Sequence, residues 1–96
     1  MAYLYVIQGP DQGVRKDIKG SIFRIGRDTA NDLKLRDTEV SRYHAEIRVT
    51  DLGLEVHDLQ SSNGTFVNGV ACENKKLHSG DRLQLGRTHF VVSDGP

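Results

Sequence analysis

Only one cysteine, Cys72, occurs in the 96 residues. An internal disulfide is therefore excluded and a cysteine-based zinc site is unsupported, which suits a reducing compartment. A surplus of charge is also missing: 13 Lys and Arg balance 13 Asp and Glu, so no global field draws the chain to DNA, RNA or an anionic bilayer. The balance holds locally, because between Arg24 and Arg48 six basic residues are interspersed with five acidic ones. Any anion site has to be a local construction.

Targeting signals are equally absent. The amino terminus, MAYLYVIQGP, lacks the basic start and the apolar core of about 7 to 15 residues that mark a secretory signal. No apolar run approaches the roughly 20 residues that cross a bilayer as a helix. These absences predict a cytoplasmic protein with no membrane association. Ninety-six residues make one domain, 1–96, with a single modest core.

Motifs of catalysis and nucleotide binding are missing too. There is no Walker pattern, no G-x-G-x-x-G opening a helix and no G-x-S-x-G elbow, so neither a cofactor nor an enzyme is expected. His44, His57, His78 and His89 stand singly, without the paired spacing of a zinc site. Ser41 and His44 are three apart, yet nothing in the sequence sets the imidazole against the hydroxyl.

What is present is alternation with period two. Ala45, Ile47 and Val49 alternate with Glu46, Arg48 and Thr50; Leu54 and Val56 with Glu55 and His57; Phe90 and Val92 with His89 and Val91. Such patterns predict half-buried strands. Shorter apolar segments at Tyr3 to Ile7, Ile22 to Ile25, Leu33 to Leu35 and Leu83 to Leu85 are punctuated by Gly9-Pro10-Asp11, Lys19-Gly20-Ser21 and Ser79-Gly80-Asp81. No window carries a helical stripe. Many short strands with frequent turns point to an all-β sandwich or barrel. Ser93 to Pro96 reads as a frayed end from which a larger signalling protein continues.

Polar clusters sit at the loop positions: Gly26-Arg27 after a strand, Ser41-Arg42 before one, and Ser62-Asn63 before Gly64. Two Asn-Gly pairs, Asn63-Gly64 and Asn68-Gly69, are separated by only Thr65, Phe66 and Val67. Both cannot easily be hairpin turns. Asn68-Gly69 is the better turn, since apolar residues flank it on both sides.

The ordered series Gly26-Arg27, Ser41-Arg42-Tyr43-His44, Asn63-Gly64-Thr65-Phe66-Val67-Asn68-Gly69 and Gly80-Asp81 resembles the forkhead-associated domain, a phosphothreonine-peptide-binding module. The likeness runs from Tyr3 to Ser93. It implies a sandwich of two twisted, mainly antiparallel sheets with about ten or eleven short strands and the ligand loops at one end. It also implies a partner carrying phosphothreonine, in trans or within the parent chain, in Ser/Thr kinase signalling, and an isolated domain that is monomeric. A phospho-independent assembly domain on the same fold is the alternative.

By the same resemblance, Arg27, Ser41, Arg42, Ser62 and Asn63 would hold the phosphopeptide, while Gly26, His44, Gly64, Thr65 and Asn68 would shape the loops. Glu39 matches a position that helps choose a peptide side chain after the phosphothreonine, and an acid there would favour a basic residue. Asn63-Gly64 would then be a ligand loop rather than a second hairpin turn.

Overall fold

The computed structural model describes residues 1–95. Among them are eleven strands and no helix: β1 (Ala2–Gln8), β2 (Arg15–Asp17), β3 (Ile22–Gly26), β4 (Leu33–Lys34), β5 (Ala45–Thr50), β6 (Gly53–Asp58), β7 (Thr65–Val67), β8 (Val70–Cys72), β9 (Asn74–Leu77), β10 (Arg82–Leu85) and β11 (Thr88–Asp94). They form a six-stranded sheet in the order β2-β1-β11-β10-β7-β8 and a five-stranded sheet in the order β4-β3-β5-β6-β9. The pairing of β3 with β4 is parallel, whereas the other ladders are antiparallel.

Period-two patterning decides which side chains meet between the sheets. Leu4 and Val6 of β1, Leu83 and Leu85 of β10, and Phe90 and Val92 of β11 are buried, as are Phe23 and Ile25 of β3, Ala45 and Ile47 of β5, and Leu54 and Val56 of β6. Each large apolar side chain fully withdrawn from water contributes roughly 1.5 to 3 kcal/mol. Glu46 breaks the pattern by being buried although it alternates away from these residues. Arg48 Nε lies 2.7 Å and Arg24 Nε 3.6 Å from its carboxylate, so the buried charge is paired twice.

β2 and β9 are polar strands without apolar alternation, and both are edges. β2 reads RKD and borders the six-stranded sheet; β9 reads NKKL and borders the five-stranded one. Short, lysine-bearing edges discourage pairing with other chains. The carboxyl terminus is more ordered than its composition suggests: β11 continues through Ser93 and Asp94, which pair with Tyr3 and Ala2. The expected fraying at those two residues is corrected by this ladder, while Pro96 lies outside the described residues.

Asn68 and Gly69 take φ of 52° and 82° between Val67 and Val70, which are partners. Positive φ at both central residues is the two-residue turn that suits the twist of a hairpin. Asn68 also joins this hairpin to β10: its Oδ1 accepts the Arg82 N–H at 2.9 Å and its Nδ2 donates to Asp81 Oδ1 at 3.1 Å. Asn68→Ala should lower unfolding free energy by about 2 kcal/mol, since it loses these bonds and keeps a strained φ. Urea titration measures the loss, and ligand affinity should stay within twofold.

Candidate functional site

The loops between β3 and β4, β4 and β5, and β6 and β7 meet at one end of the sandwich. Their meeting depends first on Gly26, the last residue of β3, where an added Cβ would lie 2.2 Å from the Arg42 carbonyl oxygen and 2.8 Å from Asn31 Nδ2. No other residue permits so close an approach. The two segments are then joined by backbone bonds: Arg27 N–H to Ser41 O at 3.1 Å, Asp28 N–H to Arg42 O at 3.1 Å, and His44 N–H to Ile25 O at 3.0 Å. Asn31, 8 % exposed, donates its amide to both the Asp28 and the Arg42 carbonyls at 2.8 Å. Arg27 and Arg42 therefore stand on adjoining backbone, both exposed.

The Arg27 side chain is anchored as well. Its Nε–H donates to the Val40 carbonyl, which orients the guanidinium and leaves its terminal N–H groups for another acceptor. Ser41 Oγ accepts the Ser62 N–H at 3.0 Å, and the Asn63 side-chain amide donates to the Glu39 carbonyl at 2.8 Å. These two bonds draw the third loop onto the second. Because Ser41 Oγ is used as an acceptor, its own O–H remains available to donate.

His44 completes the arrangement. It is fully buried; Nδ1 accepts the Ser41 N–H at 3.0 Å, and Nε2 lies 2.8 Å from the Gly64 carbonyl. Only the neutral tautomer with hydrogen on Nε2 satisfies both contacts. Burial pushes the ring below its ordinary value of 6.5, against the opposing pull of the Gly64 carbonyl, Asp58 and Asp37. The imidazole thus meets the Ser41 backbone and not its hydroxyl, so the pair lacks the geometry of an activated nucleophile.

Over residues 5–95 the chain matches the family described as the cytoplasmic domain of an inner membrane component of T3SS, Yop-YscD_cpl, and it belongs to that family. A solved structure from a structural and functional analysis of phosphothreonine-dependent FHA domain interactions superposes with a TM-score of 0.90 at 32 % identity, covering 99 % of this chain and 97 % of that one. The chain is a forkhead-associated domain. Mycobacterium tuberculosis EmbR, solved in complex with a low affinity phosphopeptide, gives a TM-score of 0.89 at 32 % identity over 96 % of this domain and 24 % of that chain. The oxoglutarate dehydrogenase inhibitor of Corynebacterium diphtheriae is 40 % identical over 93 residues, which are 97 % of this domain. The domain spans 65 % of that relative's length.

Two acids that sequence patterning did not single out hold the loops of this forkhead-associated domain. Asp58, at the end of β6, accepts from Ser61 Oγ, Ser61 N–H and Thr65 Oγ1, and Ser61 Oγ in turn accepts the Gly64 N–H at 2.9 Å. Gly64, with φ of 88°, supplies the turn that Thr65, buried, then follows into β7. Asp37 is fully buried between the sheets, where it accepts from the Glu39 N–H at 2.9 Å, the Arg87 N–H at 2.7 Å and Thr88 Oγ1 at 2.8 Å. Burial pushes both carboxyls up, but these donors outweigh it and hold both below their ordinary value of 3.8. Asp58 bonds locally, to the serine three residues on. Asp37 makes an Asx-type bond to the N–H two residues on, but the donors that tie it to the opposite sheet, Arg87 and Thr88, are some 50 residues away.

The buried ring of His44 makes stability depend on pH. The unfolded chain binds a proton near 6.5 and the folded ring binds it less readily, so stability is full above about pH 6.5 and falls as pH drops below it. A second loss follows below about pH 4, where the unfolded chain takes up protons that folded Asp37 and Asp58 resist. Urea melts from pH 7.5 to 5 should show the first slope, and His44→Gln should flatten it. Gly26→Ala should cost roughly 2 kcal/mol or more by overpacking against Arg42, read in the same melts at pH 7.5.

Proposed function

We propose that this domain binds phosphothreonine-containing peptides or proteins, as a non-catalytic interaction module in Ser/Thr kinase signalling within a longer cytoplasmic protein. The observation that carries this reading is the convergence of Arg27, Ser41, Arg42, Ser62 and Asn63 on loops locked together at one end of the sandwich. The likeness to domains solved in phosphothreonine and phosphopeptide studies supports it.

A phosphothreonine carries about −1.5 to −2 charge and three strong acceptor oxygens. The terminal N–H groups of Arg27 offer forked, permanently charged donors to those oxygens. The Ser41 O–H supplies a third donor from a fixed oxygen, and Arg42 a second cation from the adjoining strand entry. Asn63, with one N–H committed to Glu39, still has a carbonyl and a second N–H to read an extended peptide's backbone. Gly64 places Ser62 and Asn63 at this rim. Charge-assisted bonds of roughly 1.5 to 3 kcal/mol each, three or four in number, suffice for a modest affinity after ordering costs.

Such a site is braced by the chain's own loop bonds described above. It is also local, so a neutral domain can hold a dianion. Binding should weaken as salt rises, through screening of the contact.

Calorimetry with a degenerate phosphothreonine peptide library and its phosphoserine and unphosphorylated counterparts tests the reading. Phosphothreonine peptides should bind, and Arg27→Ala should weaken them by about 10- to 150-fold. Asn63→Ala should cost about tenfold in affinity. Equal binding of phosphorylated and plain peptides defeats the proposal in favour of a phospho-independent assembly role.

A further inference from the structure

Glu39 stands at the rim of the candidate site, since its carbonyl accepts the Asn63 amide. Alone, its carboxylate would attract a basic peptide residue and repel an acidic one. It is not alone. Arg87, in the turn between β10 and β11, places Nε 3.2 Å from Glu39 Oε2 and 3.6 Å from Asp37 Oδ1.

The encounter is built by the backbone rather than left to two flexible side chains. The Glu39 and Arg87 N–H groups both donate to the one buried Asp37 carboxylate, at 2.9 Å and 2.7 Å. Gly86 lets the turn press onto Glu39, for a Cβ there would lie 3.0 Å from the Glu39 carbonyl carbon and 3.1 Å from its Cβ. The Glu39 and Arg87 side chains remain 53 % and 58 % exposed, so both can meet a ligand. Nε faces the acids, and the terminal N–H groups of Arg87 are further donors.

On the strength of the phosphothreonine reading above, we propose that Arg87, which faces both Glu39 and the buried Asp37, is a specificity-determining residue: it offsets the field of Glu39, so that the domain accepts acidic as well as basic residues beside the phosphothreonine. The partner class widens accordingly, from segments with basic flanks to segments whose flanks carry either sign. Exposed pairs of this kind exert modest fields, and the effect belongs in the range of a few-fold in affinity.

The test uses the whole domain and matched phosphothreonine peptides carrying Asp or Lys at each of the four positions after the phosphothreonine. Wild-type affinities for the Asp and Lys forms should agree within about twofold. R87Q should shift the ratio toward Lys by about three- to tenfold at one position, E39Q should shift it toward Asp, and R87K should restore near-equality. The shifts should shrink in high salt. Retained phosphate-dependent binding with an unchanged ratio in R87Q overturns the role of Arg87 alone. Absence of phosphate-dependent binding by the wild type defeats the phosphothreonine reading, and the selection by Arg87 with it.

Discussion

A neutral imidazole held between two loops is the constraint on which the loop end of this molecule depends. His44 takes a hydrogen from the Ser41 backbone and gives one to the Gly64 carbonyl, so a single rigid ring sets the spacing of the second and third loops. The same residue leads into β5 and bonds β3, just before the first loop, through its N–H on the Ile25 carbonyl. Its burial makes the arrangement all-or-none: with water excluded, a lost partner on either nitrogen would leave an unsatisfied group in a dry place.

Around that ring the sandwich divides its labour between buried acids and exposed cations. Asp37 ties the second loop to the opposite sheet, through Thr88 and the Arg87 N–H, and Asp58 ties the third loop to itself. Both carboxylates are saturated with donors. These two negative charges are thus already engaged, while Arg27 and Arg42 lie at the surface, as does Glu39.

Much of the architecture was legible because the core strands alternate: β1, β3, β5, β6, β10 and β11 all follow from Leu, Val, Ile and Phe at every second residue. β2 and β9 were not legible, because an edge strand buries little and its ladder is specified by a neighbour rather than by its own composition. Of the site, the gathering of Gly26, Ser41, His44 and Asn63 at one end follows from the family resemblance that short motifs in fixed order carry. The engagement of Asn63 with Glu39, the bond of Asn31 to Arg42 and the tie of Asp37 to Thr88 did not. Each is a contact between residues 11 to 51 apart, and nothing in a local window encodes such a distance. The two Asn-Gly pairs show both sides of this: Asn68-Gly69 is settled by its flanks, whereas Asn63-Gly64 is settled by what its loop is tied to.

The pairing of Ala2 with Asp94 sets both ends of the described chain side by side, with the Met1 amino group 3.3 Å from the Gly95 carbonyl. The ladder of β1 with β11 then runs for seven residues, about 20 Å, before reaching Thr88 and the loop end. Polypeptide attached at either end would enter and leave at the pole away from the loops. A segment joined at either end could thus change in length or sequence without crowding the loops, and tension applied at both ends would pull at one corner of the sandwich and not across the loops.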